Sequence, residues 1–140
     1  MSDVVDRLLK AMNDHDLEGA ASLIHPDYRS EQPAHPGRAF LGREQMHANW
    51  AAMFAGIPDF RAEIRRSVQD GNVTWSEWIW SGTRTDGVPL AVRGVTLFEI
   101  AHDQIVAGTL YMEDVDESDD IAENVRARAG RGPQQRPATA

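Results

Sequence analysis

The sequence predicts an α+β fold in which three helices precede an antiparallel sheet and pack on one of its faces. Two observations support this class. Up to residue 55 the apolar residues recur at helical spacing, and from residue 58 they alternate with polar residues, as in strands. The chain has 140 residues, 41% of them hydrophobic and 26% charged, which is the composition of one globular domain.

Three helices and one short strand are predicted in the first part of the chain. The apolar stripe of the first helix consists of Val4, Val5, Leu8, Leu9 and Met12. Asp16 is the predicted N-cap of a second helix that includes Ile24 and stops at Pro26. His25 would then lie at a helix C-terminus, where the dipole favours it. A strand over residues 28–32 and the loop PAHPGRAFLG follow. The third helix covers residues 43–55, with the stripe Met46, Trp50, Met53 and Phe54.

Four strands follow, separated by tight turns. Asp70-Gly71 and Asp86-Gly87 are typical hairpin dipeptides, and residues 102–104 form a further turn. The strands therefore run from Phe60 to the first turn and over residues 73–85, 88–100 and 105–114. The inner face of the first is predicted to carry Phe60, Ala62, Ile64 and Val68. Gly94, in the third, is predicted to be a bend or a bulge.

A change in composition divides the chain after residue 116. Residues 1–116 form the predicted domain. Residues 117–129 form a short helix that Ser118 can cap, with only Ile121 and Val125 as apolar anchors. Residues 130–140, GRGPQQRPATA, are a polar tail that we predict to be disordered.

Composition and charge argue against several classes of function. A net charge of -8 disfavours binding to nucleic acid or to an anionic membrane. Without cysteine there are no disulfides, thiolate nucleophiles or thiolate metal sites. His25, His35 and His47 lack metal-ligand spacing, so we predict neither a metal nor a cofactor. The opening segment does not resemble a signal peptide and no apolar run has the length of a membrane span, so we expect a soluble, cytoplasmic protein.

Periodicity assigns the inner faces of the strands only in part. The less polar face of the last strand carries Val106, Gly108, Leu110 and Met112, and it is predicted to face the helices. In VTWSEWIWSGT, Trp78 and Trp80 share one face and Trp75 lies on the other. Because both faces carry large side chains, side-chain size alone does not show which face points inward. The face of Trp75 also carries Ile79, Val95, Leu97, Tyr111, Glu77, Glu99 and Glu113. This outer face is a candidate homodimer interface, unless the C-terminal segment covers it.

Six segments occur in an order typical of a known family: NDHDLEGAASLIHPDY, FLGREQMHANW, PDF, DGNV, SGTRTDG and DQIVAGTLYMED. With them, residues 4–116 resemble SnoaL-like proteins of the nuclear transport factor 2-like superfamily. The resemblance implies a strongly curved, mostly antiparallel sheet with the three helices in its concave face, a cone-shaped α+β barrel. It also implies a ligand cavity between this face and the helices, and a homodimer.

Two catalytic sites of the superfamily are missing from this sequence. The arginine and aspartate of limonene epoxide hydrolase would fall on Trp78 and Trp80, and its second aspartate on Leu110. The aspartate base of ketosteroid isomerase would fall on Gln32, which cannot shuttle a proton. Neither mechanism is therefore expected. The same comparison implies that apolar side chains of the strands point into the cavity. The candidate ligand contacts are Trp50, Trp78, Trp80, Phe98, Leu110 and Met112. Such a pocket suits a flat, greasy organic molecule.

The candidate catalytic residues are Arg29, Glu31 and His35. The resemblance points Arg29 and Glu31 into the cavity, where Glu31 would act as acid or base beside Arg29, or the two would form a salt bridge near the mouth. If the strand is flipped, Tyr28 and Ser30 are the inward pair. His35, in the loop at the cavity rim, is either a proton shuttle or an ordinary exposed histidine.

Other polar residues are assigned structural roles. His47 is expected to be partly buried and hydrogen-bonded. Glu77, Arg93 and Glu113 would form a network on the outer face, unless a bulge at Gly94 turns Arg93 inward toward a substrate carboxylate or carbonyl.

Two functions follow from these residues and the resemblance. One is a cofactor-independent cyclase, isomerase or dehydratase that acts on a hydrophobic, carbonyl-bearing metabolite, with Glu31 or His35 moving a proton. The other is a non-catalytic binder of an apolar ligand, or an orphan scaffold, because both known catalytic sets are replaced.

Overall fold

Four helices and one six-stranded mixed sheet form within residues 3–118 and 120–130, the part of the chain that the structure, a computed structural model, describes. The helices are α1 (Asp3–Asn13), α2 (Leu17–Ser22), α3 (Arg43–Gly56) and α4 (Ile121–Ala129). The strands are β1 (Ile24–Glu31), β2 (Phe40–Leu41), β3 (Arg61–Asp70), β4 (Val73–Thr83), β5 (Pro89–Ala101) and β6 (Gln104–Asp114).

The strands lie in the order β2-β1-β6-β5-β4-β3. Every neighbouring pair is antiparallel except β1 and β6, which run parallel. The predicted α+β class with a mostly antiparallel sheet is confirmed. The sheet is not closed, however, because β2 and β3 remain at its two edges. The predicted disordered tail lies, from residue 131 onward, outside the described residues.

The first two helices follow the sequence pattern, with one difference at the end of α2. In the α1 stripe Val4, Val5, Leu8 and Met12 are buried and Leu9 is half-buried. Asp16 caps α2 by accepting a 2.9 Å hydrogen bond from the Gly19 amide. α2 ends at Ser22, however, and Ile24 begins β1 opposite Ile105, where both β-branched side chains are buried. The prediction of a helical His25 is therefore wrong: His25 lies in β1, and its Nδ1 accepts a 3.0 Å hydrogen bond from the Asp27 amide.

An irregularity in β3 reverses the direction of its side chains. Ile64 pairs with Trp78 but Arg66 pairs with Glu77, so Arg65 is an extra residue. Beyond this bulge Ser67 faces Ser76 and their hydroxyls are 2.8 Å apart, whereas Val68 is exposed. The predicted inward position of Val68 is therefore wrong, because a one-residue bulge exchanges the two faces of a strand.

Gly94 is not the site of a bulge, since it pairs in continuous register with Trp78 on one side and Met112 on the other. It allows a close approach of backbones instead. A Cβ atom at this position would lie 1.9 Å from the Tyr111 carbonyl oxygen and 2.7 Å from Met112 Cα. Glycine is therefore required here by the packing of β5 on β6.

The C-terminal helix is capped differently from the prediction. The Asp120 side chain, not that of Ser118, accepts a 2.9 Å hydrogen bond from the Glu123 amide. Ile121 and Val125 of α4 are exposed. Among the residues that the structure describes, no helix is both long enough and apolar enough to cross a membrane.

Candidate functional site

A cavity of about 330 Å³ lies between the helices and the concave sheet face. Its wall includes residues of α1, α3 and strands β1, β4, β5 and β6. Six of the wall residues are those proposed from the sequence as ligand contacts: Trp50, Trp78, Trp80, Phe98, Leu110 and Met112. A volume of this size matches small-molecule sites.

Aromatic rings packed edge to face form one side of the cavity. The ring centroid of Trp50 in α3 lies 5.5 Å from that of Trp80 in β4, with an interplanar angle of 80°. The ring centroids of Trp78 and Trp80 lie 6.4 Å apart, with an interplanar angle of 68°. Because these pairs brace the rings against each other, the wall is a fixed apolar surface.

Two buried donors in the cavity wall have no hydrogen-bond partner of ordinary geometry among the residues that the structure describes: the Tyr28 hydroxyl and the Trp80 Nε1. The neighbouring Trp78 differs, because its Nε1 donates to the Thr96 hydroxyl at 2.8 Å. Ser30 lies on the same face of β1 as Tyr28, but the two hydroxyls form no hydrogen bond of ordinary geometry. Burial raises the pKa of Tyr28 to about 12, so its hydroxyl keeps its proton and stays a donor.

The expected inward orientation of Arg29 and Glu31 is wrong. In β1 the buried residues are Tyr28 and Ser30, and the two charged residues are exposed on the outer face. There Arg29 lies 3.7 Å from Glu99, and Glu31 accepts a 3.2 Å hydrogen bond from Thr109. Burying the Tyr28 ring is favourable, whereas burying a carboxylate and a guanidinium would cost their hydration, so the alternative pairing of Tyr28 with Ser30 applies.

The open end of the cavity is polar. Arg38, Glu113 and Asp114 line it and are exposed, and Arg38 donates a 2.9 Å hydrogen bond to Gln32. The Nε2 of His35 lies 2.9 and 3.1 Å from the two carboxylate oxygens of Glu113. His35 is not itself part of the cavity wall; it is held beside the mouth by Glu113, a wall residue 78 positions away in sequence. Sequence reasoning assigned Glu113 to another network, since no local pattern signals this contact.

The remaining polar candidates lie outside the cavity. Arg93 is exposed on the outer face, and Glu77 pairs there with Arg66 at 2.8 Å. His47 forms a 2.8 Å contact with Glu18 away from the cavity. Within the described ranges, 3–118 and 120–130, no group of three histidine and carboxylate side chains is arranged to hold a metal ion.

The outer sheet face has a half-exposed apolar surface. Trp75 is 44% exposed and Tyr111 48%, and Val68 joins them because of the bulge in β3. They remain exposed with α4 in place, so the described part of the C-terminal segment does not cover this face.

Solved structures share this fold. IdmH from Streptomyces antibioticus, described as a candidate polyketide cyclase, is 24% identical with a TM-score of 0.68, and the match covers 79% of this chain and 90% of IdmH. A Catenulispora acidiphila protein with a ketosteroid isomerase-like fold, solved with trimethylamine, is 20% identical with a TM-score of 0.70, over 98% and 99% of the two chains. A candidate SnoaL-like polyketide cyclase from Jannaschia is 20% identical with a TM-score of 0.67, over 93% and 92%. At these identities the likeness shows the fold alone.

The sequence itself was compared with characterised proteins and with family models. No curated protein matched it significantly. The model of the SnoaL-like domain matches residues 5–108, which is most of the chain and includes sixteen of the twenty residues of the cavity wall. This chain therefore belongs to the SnoaL-like domain family.

Proposed function

We propose that this protein is a cytoplasmic, cofactor-independent enzyme that binds a small apolar metabolite and carries out an isomerase-, cyclase- or dehydratase-type proton transfer. The observation that carries the proposal is the cavity, with an aromatic wall formed by Trp50, Trp78 and Trp80 and a polar mouth. Apolar walls supply affinity for a flat molecule, and a few polar groups orient it.

His35 is the proton-transfer group in this proposal. Its Nε2 lies within hydrogen-bond distance of both Glu113 oxygens, which can only accept, so Nε2 is the donor and Nδ1 is the atom that would take a proton from the substrate in the neutral ring. A carboxylate that holds a histidine in one tautomer is the arrangement that general bases use. Arg38, which also lines the mouth, would stabilise negative charge on the substrate.

Hydrogen–deuterium exchange on a model ketone tests this role without knowledge of the substrate. With 2-tetralone in D₂O, the wild-type protein should accelerate exchange of the protons next to the carbonyl. His35→Gln should reduce the protein-dependent rate at least tenfold, since general-base catalysis contributes about 10² to 10⁴. His47→Gln is the matched control, because His47 also contacts a glutamate, but its partner Glu18, unlike Glu113, does not line the cavity. Equal losses in the two variants, or none in His35→Gln, would contradict the role.

A non-catalytic binder is the second candidate. It is favoured by one observation: the carboxylates of the wall, Glu113 and Asp114, lie only at the exposed mouth. Such a protein would bind 2-tetralone, seen as quenching of tryptophan fluorescence, without accelerating exchange. Trp80→Ala should weaken binding under either candidate, so unchanged affinity would count against the cavity as the site.

We also propose that two copies associate through the outer sheet face. Its half-exposed Trp75 and Tyr111 are the kind of large rings enriched at interfaces, and Arg66 and Glu77 lie beside them as a polar rim. Light scattering after size exclusion should give a dimer for the wild type and a monomer for Trp75→Glu. Val88→Glu, in the exposed turn before β5, should remain dimeric. A wild-type monomer at high micromolar concentration would rule out the interface.

A further inference from the structure

The Tyr28 hydroxyl is the most deeply buried polar group of the cavity wall and has no partner. Tyr28 is 0% exposed, and its oxygen makes no hydrogen bond of ordinary geometry in the described structure; the Ser30 hydroxyl is the one side-chain group near enough to lower its pKa. Leaving a buried hydroxyl unpaired costs free energy, so a group of this kind calls for an explanation. The second unpaired donor of the wall, Trp80 Nε1, belongs to β4 on the same concave face.

The surroundings of this hydroxyl are specific. A Cβ atom on Gly108 would lie 2.3 Å from the Tyr28 oxygen and 3.0 Å from a ring atom of Phe98. The Tyr28 oxygen therefore occupies the space that a side chain at position 108 would take, beside the edge of Phe98. Gly108 of β6 pairs with Ser30 of β1 on one side and with Phe98 of β5 on the other, so three neighbouring strands surround the Tyr28 oxygen.

From these contacts we propose that Tyr28 is the deep hydrogen-bond donor for a carbonyl or hydroxyl oxygen of the ligand. The inference rests on the proposed function and adds the ligand class: an apolar, flat molecule with an acceptor oxygen at the end that enters first. Since neighbours cover the Tyr28 oxygen, the ligand must displace one of them. The Phe98 ring edge lies beside the Tyr28 oxygen and also lines the cavity, so in this proposal it is the group that must turn aside on binding.

The chemistry of the site separates this ligand from a hydrocarbon of the same shape. A hydrocarbon would fill the cavity and leave the hydroxyl unpaired, so it gains only from apolar burial. An oxygen-bearing molecule gives up its hydrogen bonds to water on entry and regains one from Tyr28, so the informative quantity is how the ratio of the two affinities changes when the hydroxyl is removed. A tyrosine that keeps its proton over the physiological range donates equally well at every pH used in the assay.

A pair of isosteric probes tests the proposal: 2-acetylnaphthalene, which has a carbonyl oxygen, and 2-isopropylnaphthalene, which does not. Binding is measured by titration calorimetry or tryptophan fluorescence to the full-length wild-type protein, to Tyr28→Phe and to Tyr111→Phe. Tyr28→Phe should lower the ratio of ketone affinity to hydrocarbon affinity by about fivefold relative to the wild type, the value of one neutral hydrogen bond. Its affinity for the hydrocarbon should stay unchanged, and Tyr111→Phe, on the outer face, should keep the wild-type ratio.

The possible failures are distinguishable. If neither probe binds the wild type, the cavity is not a site for molecules of this class, and the proposed function fails together with the inference. If Tyr28→Phe keeps the wild-type ratio of the two affinities, the cavity binds ligands but Tyr28 does not anchor them. A ratio that falls in Tyr111→Phe as well would also overturn the assignment, since no local contact would explain it.

Discussion

The Trp78 indole donates a 2.8 Å hydrogen bond to the hydroxyl of Thr96, and both side chains are 1% exposed. The bond joins β4 to β5 beneath the cavity and holds the Trp78 ring in its wall. Trp80, the next residue on the same face, has no such partner. Two tryptophans that look equivalent in the sequence therefore differ: one is part of the core, and the other presents an unpaired donor.

Thr96→Val should lower the free energy of unfolding by about 1–3 kcal/mol, because the buried Trp78 N–H loses its acceptor while the shape is kept. Urea denaturation followed by circular dichroism measures the change. Thr74→Val is the matched control: Thr74 is equally buried, but its hydroxyl has no partner, so the substitution should be neutral or stabilising. A similar cost for both variants would contradict the Trp78–Thr96 bond.

The pKa of Tyr28 predicts a loss of stability in alkaline solution. Burial raises this pKa from 10.0 in the unfolded chain to about 12 in the folded protein, so between these values the folded state keeps a proton that the unfolded state releases. The contribution is fully present below pH 10 and falls as the pH rises toward 12, by up to about 1.4 kcal/mol per pH unit. Tyr28→Phe should show a shallower decline in urea denaturation over this window. Parallel curves for the two proteins would mean that Tyr28 titrates normally.

Gly94→Ala should destabilise the protein by about 3 kcal/mol, since the new methyl group would meet the backbone of β6 and the β5–β6 pair must move. Gly56→Ala, at the end of α3, is the control, because no heavy atom lies within 4 Å of its added Cβ. It should change stability by less than about 0.5 kcal/mol or increase it, as alanine favours a helix. Thermal unfolding compares the two, and an equal Tm for Gly94→Ala and the wild type would refute the close approach.

Asn13 joins the end of α1 to the edge strand β3. Its side chain donates to the Ala62 carbonyl at 2.9 Å and accepts from the Ala62 amide at 2.7 Å. The side-chain amide thus makes the two hydrogen bonds that the backbone of a neighbouring strand would make with Ala62. Asn13→Ala should cost about 1–3 kcal/mol, because both backbone groups of Ala62 lose a partner. Asn49→Ala, at an exposed position of α3, should change stability by less than about 0.5 kcal/mol. Hydrogen exchange of the Ala62 amide should accelerate only in the first variant.

The sequence predicted those features that depend on neighbouring residues. The stripe of α1 and the Asp16 cap formed as expected, and His102 and Asp103 form the predicted turn between β5 and β6 with positive φ of 53° and 60°. The class of the fold followed from the change in periodicity near residue 58. Each of these signals lies within a few residues, where hydrogen bonding and side-chain spacing decide the conformation.

Features that depend on distant residues were predicted less well. The facing of β1 was inferred from a family resemblance and was wrong, because the parallel pairing with β6 buries Tyr28 and leaves Glu31 outside. The bulge at Arg65 is invisible in a pattern that alternates regularly on either side of it. The contact between His35 and Glu113 joins the loop after β1 to the end of β6 and has no local signature.

By itself, then, the sequence determined the family, the order of the elements and the apolar character of the strand that contains Trp78 and Trp80. Only the tertiary structure decided which polar groups meet that surface: Tyr28 from β1, Arg38 from the rim loop, and Glu113 with His35 at the mouth. The reason is physical. Periodicity follows from the repeat of a single helix or strand, whereas strand register and bulges are selected by the burial of side chains that lie far apart in the chain.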